Sequence, residues 1–400
     1  MRVAESRALG NLGRAAVGAG IAIGSASAAA GLGSLAGAAY FARKVLTPDR
    51  RRPDDVVITS IGRDVVTVSA TPDTVVPGRY GLWLDGGLGH ARVGDIVAHD
   101  VDHGQVTRTV TAVDRGFLAP GPARWNAYYW GGPPDESLGL RTHHLSVRGE
   151  LGILPAWVVP PADPAPGGGD RWAILVHGRG ARREEALRAI GPLHELGWTA
   201  LVPNYRNDEG VVAGPDGRYN LGLSEWRDIE AAIDHAARLG AQEIVLVGWS
   251  MGGAIVLQFL DRSPLSQLVD GVVLDGPVID WGDVLAHHGR LHHVPDPVLG
   301  LSRAMMGRRW GKRLVGVHDV LDVAQTDWVS RADELTHPML LIHSADDEFV
   351  PVGPSRALAH RRPDLIRYEE FTVARHCKEW NVDPQRWESV LTDFVEGLSG

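Results

Sequence analysis

Gly248-Trp249-Ser250-Met251-Gly252 sets a hydroxyl between two glycines, directly after an apolar run and before a stretch with helical spacing. A serine on so sharp a strand-to-helix turn exposes its oxygen above a sheet. The turn crowds the positions two before and two after it, which accounts for both glycines. A helix N-cap serine would also explain the hydroxyl, but not the paired glycines. The chemistry such a serine performs is acyl transfer, and it cannot do so alone. A neutral hydroxyl is a poor nucleophile near neutral pH, so it needs a base in hydrogen-bond reach, and the base needs an orienting acid.

Those partners are expected in the order serine, acid, histidine. After Ser250, acids gather where an apolar strand ends, in Leu341-Ile342-His343-Ser344-Ala345-Asp346-Asp347-Glu348-Phe349-Val350-Pro351. Three compete. Asp347 is favoured because it stands four before the proline that opens the next helical stretch; Asp346 and Glu348 remain alternatives as turn former and solvated charge. Two histidines follow Asp347, His360 and His376; His376 is favoured because it follows Phe371-Thr372-Val373-Ala374-Arg375 on a loop beyond the last strand. The oxyanion of such a reaction needs two backbone N–H donors. Met251, the residue after the serine, is one candidate. Arg179, in His177-Gly178-Arg179-Gly180 after the strand Ile174-Leu175-Val176, is the other.

The elements that must position these residues are legible as two rhythms. From about 143 onward, continuous apolar runs alternate with amphipathic stretches, as in Trp172–Val176, Glu243–Val247 and Met339–Ile342 against Glu184–Leu196, Trp226–Leu239 and Met251–Leu260. Apolar runs without alternation mark strands buried on both faces, hence an α/β fold with a doubly wound, mostly parallel sheet. Residues 278–336 interrupt the pattern and are long enough for a helical cap. Residues 53–142 instead show short alternating runs broken by Gly and Pro, which predicts a small β-rich domain with no catalytic pattern of its own. The organisation expected is therefore 1–46 as an N-terminal tail, 53–142 as the β-rich domain and 143–400 as the catalytic domain.

Ala15 to Ala42 lacks charge and is long enough at helical rise to cross a bilayer. It reads as one membrane anchor, a transmembrane helix. Arg43, Lys44, Arg50, Arg51 and Arg52 follow it, a weak lean towards a cytoplasmic catalytic domain. Its Ala and Gly richness also fits a mobile tail, and Ala26-Ser27-Ala28 fits a signal-peptide cleavage site.

Net charge is -9 and the sequence pI about 6.0, so no basic face calls for nucleic acid. Cys377 is the only cysteine, which excludes an intramolecular disulfide. His287, His288, His292 and His293 miss the usual zinc spacings. No metal and no cofactor is expected.

With these residues assembled, the chain resembles the α/β-hydrolase superfamily over roughly residues 143–400. The resemblance rests on His177-Gly178-Arg179-Gly180, on Gly248-Trp249-Ser250-Met251-Gly252-Gly253, on the Asp347 strand end and on His376. It is most similar to actinobacterial hydrolases grouped near the prolyl-oligopeptidase-like and serine-aminopeptidase-like catalytic domains. That likeness implies a Ser250, Asp347, His376 triad cleaving esters or peptides without a cofactor. One loop departs from it: Tyr205-Arg206-Asn207-Asp208 stands where many relatives carry an Arg-Gly-His-Gly type. The expected function is a hydrolase of small carboxylic esters acting through an acyl-enzyme. A peptidase on short peptides, an acyltransferase and a non-catalytic ligand-binding protein are the alternatives.

Overall fold

Alternation in the first domain resolves into a closed barrel. The computed structural model describes residues 35–48, 50, 52–162 and 170–398. Strands β1 (Val56–Gly62), β2 (Val65–Ser69), β3 (Tyr80–Leu84), β4 (Gly89–Asp100), β5 (Gln105–Arg115) and β6 (Gly121–Asn126) pair antiparallel in the order β1-β2-β5-β4-β3-β6. The β1–β6 pairing closes the ring. Closure removes the unpaired edges that an open sheet would present. Inward positions such as Ile58, Val66, Val68, Leu82, Val93 and Val106 are fully buried or nearly so.

The apolar runs become one eight-stranded sheet, ordered β14-β13-β12-β11-β9-β10-β8-β7. Its strands are β7 (His143–Arg148), β8 (Ile153–Val159), β9 (Arg171–Val176), β10 (Thr199–Pro203), β11 (Glu243–Trp249), β12 (Val269–Asp275), β13 (Met339–Ser344) and β14 (Ile366–Phe371). β7 and β8 pair as an antiparallel hairpin, β8 lies antiparallel to β10, and β10, β9, β11, β12, β13 and β14 run parallel. On one face, Ala173, Leu175, Val245 and Val247 pack with the helices Leu187–Glu195 and Pro384–Gly397. Fully burying one Leu, Ile or Val side chain is worth about 1.5–3 kcal/mol, so these strands are apolar throughout rather than alternating. The loops at the carboxyl ends of the parallel strands carry Ser250, Asp347 and His376, where open α/β sheets bind ligands.

The segment between β12 and β13 is helical, with Trp281–Leu291, Asp296–Met306 and Lys312–Val315. It does not form one body. Its middle, Gly289–Asp322, groups with the helix 35–46 as one compact unit, while Thr47–His288 and Val323 onward form the other. The candidate membrane span is revised accordingly. Residues 15–34 lie outside the described residues. Residues 35–42 belong to a helix that runs on through Arg43 and Lys44 to residue 46. Ala38, Ala42 and Leu46 are fully buried in it. The Ser302 hydroxyl donates to Ala38 O at 3.0 Å, and Arg43 Nε donates to Val315 O at 3.2 Å. One face of this segment is thus covered by protein. Among the described residues, no helix is long and apolar enough to cross a membrane.

Candidate active site

β11 ends at Trp249 and the next helix begins at Met251, so Ser250 alone makes the turn, with φ 51° and ψ -117°. A non-glycine residue there carries about 1–3 kcal/mol of strain and persists only if its surroundings hold it. They do. A Cβ on Gly252 would stand 2.1 Å from Val176 O, and one on Gly248 would stand 2.8 Å from Gly253 N. Ser250 N–H donates to Asp275 O at 3.1 Å. The Asp275 carboxylate in turn accepts the indole N–H of Trp249 at 3.0 Å and of Trp387 at 3.1 Å.

The three residues expected to act together meet. His376 Nε2 lies 2.9 Å from Ser250 Oγ, and His376 Nδ1 lies 2.7 Å from Asp347 Oδ2. Asp347 Oδ1 accepts the N–H groups of Phe349 and Val350, each at 2.8 Å. Burial works against ionising Asp347, but His376 and His343 outweigh it and hold the carboxyl below the ordinary range. Burial likewise opposes charging His376, and the Asp347 charge and hydrogen bond overcome it, so its pKa is raised. A carboxylate on Nδ1 fixes the tautomer that leaves Nε2 open to accept the serine proton.

The other two acids have different partners. Asp346 Oδ2 accepts Val373 N–H at 2.6 Å, and Glu348 Oε1 pairs with Arg375 at 2.7 Å. Both hold the histidine loop from its backbone or its neighbour and neither touches the imidazole. That loop is strained, with φ 69° at Val373 and 50° at Cys377. Arg188 secures its far side by donating to Cys377 O at 2.7 Å.

The oxyanion candidates flank the serine. Met251 opens its helix, where an N–H has no intrahelical acceptor. A Cβ on Gly178 would stand 3.1 Å from Ser250 Cβ, which places the His177–Gly180 loop beside the hydroxyl. Gly178 N–H is committed to Glu185 Oε2 at 2.6 Å, which takes it out of the set of candidate oxyanion donors. The divergent loop at Tyr205 braces this one from behind. Asp208 Oδ2 pairs with buried His177 at 2.9 Å, and the Tyr205 ring stacks on that imidazole at 4.5 Å.

Among the described residues, no group of three or more His, Cys, Asp or Glu is placed to hold a metal. His287 and His288 face the carbonyls of Glu348 and Phe349 at 2.9 and 3.0 Å. Three supporting residues escaped the sequence reading, His343, Glu185 and Asp275, whereas Asp208 stood in the loop already marked as divergent. Of those three, only His343 carried a signal, a histidine on an apolar strand four residues before the acid.

Residues 173–387 match the model of the Alpha/beta hydrolase family, and residues 57–126 match a domain of unknown function. The uncharacterized protein YqkD of Bacillus subtilis is 22% identical over 237 residues, covering 56% of this chain and 71% of that one. The esterase Pf2001 of Pyrococcus furiosus is similar in structure, with a TM-score of 0.51 and 18% identity over 68% of this chain and 96% of that one. A second crystal form of it gives 0.51 over 68% and 98%.

Proposed function

This chain belongs to the α/β-hydrolase family, and on that premise we propose that it hydrolyses small carboxylic esters through an acyl-enzyme on Ser250. His376 Nε2 takes the proton from Ser250 Oγ as that oxygen attacks the ester carbonyl. The backbone N–H groups of Met251 and Arg179 receive the oxyanion. His376 then returns the proton to the departing alcohol. A water deprotonated by the same nitrogen attacks the acyl carbon, the bond to Ser250 Oγ breaks, and His376 gives the proton back to that oxygen as the acid leaves. Asp347 holds the imidazole and stabilises its charged form throughout.

The observation that carries this reading is the unbroken run from Ser250 Oγ through His376 to Asp347, at 2.9 and 2.7 Å. The similar Pyrococcus furiosus protein is described as an esterase, which favours esters over amides. The alcohol side is expected to be apolar. The leaving oxygen has to come within reach of His376 Nε2, so the group it carries lies beside that ring. Phe349 stands there, 41% exposed, with its ring centroid 5.2 Å from that of His376.

The test is labelling by a fluorophosphonate probe, with turnover of aryl and alkyl esters, for wild type and Ser250→Ala. Labelling and turnover in the wild type, both lost in the variant, are expected. A folded wild type that neither labels nor turns over any ester would refute the proposal and favour a ligand-binding protein.

A further inference from the structure

The strained histidine loop has a support outside the hydrolase domain. Asp73, in the turn between β2 and β3 of the barrel, makes an ion pair with Arg375, whose Nε lies 3.0 Å from its Oδ1, and accepts the Lys378 ammonium at the same oxygen. Those two cations bracket His376. Arg375 continues to Glu348, and the other oxygen of Glu348 accepts His376 N–H at 3.4 Å. A line of charge thus runs from the barrel past the imidazole to the residue next to Asp347. The barrel also grips the chain just beyond. Buried Asn381 donates from Nδ2 to Arg79 O and Ala127 O at 2.5 and 2.7 Å, and its own carbonyl accepts Arg79 N–H at 2.9 Å. The fit leaves no slack, since a Cβ on Gly78 would stand 2.0 Å from Asn381 O.

The segment making these contacts is itself held from inside the barrel. Arg108 is fully buried and donates to Thr74 O, Val76 O and Gly78 O at 2.9, 2.7 and 2.6 Å, and to Gly94 O at 2.8 Å. Its guanidinium lies 5.3 and 5.2 Å from the ring centroids of Tyr80 and Trp125. Burying a guanidinium is costly unless its donors are filled. Three of its four acceptors lie on the short run that follows Asp73 and precedes β3. The buried arginine thus makes three of these hydrogen bonds to the segment that meets the histidine loop and one to Gly94 O of β4.

We infer that the barrel is a positioning module for the catalytic base, and that Asp73 is the residue through which it sets the histidine loop. The inference rests on the reading of His376 as that base. Asp73 touches neither substrate nor imidazole; it acts through Arg375 and Lys378. Placing the base wrongly by about 1 Å can cost on the order of 10² in rate.

The test uses the full-length Asp73→Asn variant, which keeps the shape and removes the charge. The expected result is a kcat at least about tenfold lower with KM little changed, a matching drop in fluorophosphonate labelling rate, and partial rescue by Asp73→Glu. The low-field NMR proton on His376 Nδ1 is expected to shift as well. A folded Asp73→Asn protein with wild-type kcat, whatever its melting temperature, would overturn the inference and leave Asp73 as glue between domains. If that variant does not fold, Lys378→Gln decides by the same criteria. If the wild type proves inert, the ester-hydrolase reading fails by itself; the His376 proton still decides here, and an unmoved resonance overturns the inference.

Discussion

Asp347 Oδ2 receives His343 Nε2 at 3.2 Å as well as His376 Nδ1 at 2.7 Å. His343 Nε2 also faces Val350 O at 3.2 Å, so it has two acceptors before it and has to carry the proton. Ser355 Oγ then donates to His343 Nδ1 at 2.7 Å. The acid is aimed by a second histidine. Replacing His343 by Leu removes a hydrogen bond to a buried charge, so a loss of about 1.5–3 kcal/mol in urea unfolding at neutral pH is expected. Gln, which keeps a donor, should lose less. Equal losses for Leu and Gln would show that His343 contributes packing alone.

The three acids separate by kinetics. Asp347→Asn should lower kcat by roughly 10⁴-fold in a folded protein, the size seen when the orienting acid of a triad is neutralised. Asp346→Asn and Glu348→Gln should each cost far less, because their partners are Val373 N–H and Arg375. Steady-state kinetics on one aryl ester would rank them, and a ranking led by Asp346 or Glu348 would reassign the acid.

The pH dependence follows from two opposed shifts. Under the proposed mechanism activity requires neutral His376, whose pKa is raised above the ordinary 6.5. The rate should therefore fall as pH drops through that higher value. Stability has the other sign. The contribution from charged His376 is full below 6.5 and is lost as pH rises through its folded value. The Asp347 carboxyl is lowered from 3.8, so its contribution is present above 3.8 and lost as pH falls through its folded value. A pH–rate profile checks the first statement, and melting temperature against pH checks the others. An acid limb below 6.5 would contradict the assigned network.

Gly252→Ala should be the most damaging glycine substitution at the elbow. Its Cβ would meet backbone, Val176 O, at 2.1 Å, and no rotamer relieves that clash. A loss of about 3 kcal/mol or more, or failure to fold, is expected. Gly248→Ala meets Gly253 N at 2.8 Å and should be milder. Thermal unfolding of the two variants compares them directly.

Phe349→Ala tests the alcohol side. An aromatic pairing is worth about 0.5–1.5 kcal/mol beyond burial, which is roughly 2- to 13-fold in kcat/KM. That drop is expected for phenyl esters and not for methyl esters of the same acid. A uniform drop across both would place Phe349 in support of His376 rather than of substrate.

Ser250 and its glycines were legible in the sequence because the crowding they answer to is local, set within five residues of one turn. The barrel's alternation and the sheet's apolar runs were legible for the same reason: each strand's pattern reports its own two faces. His376 followed from chain order together with its place on a loop after the last strand, which set it apart from His360. Order alone could not choose among Asp346, Asp347 and Glu348, since adjacent residues differ only in which way each side chain turns. The tertiary structure turned Asp347 inward and aimed the other two at the histidine loop. It also joined Asp73 to Arg375 and Lys378 across some 300 positions of sequence, and it buried one face of residues 35–46 against Gly289–Asp322. Contacts at that separation depend on how whole elements pack, and no spacing rule along one chain encodes them.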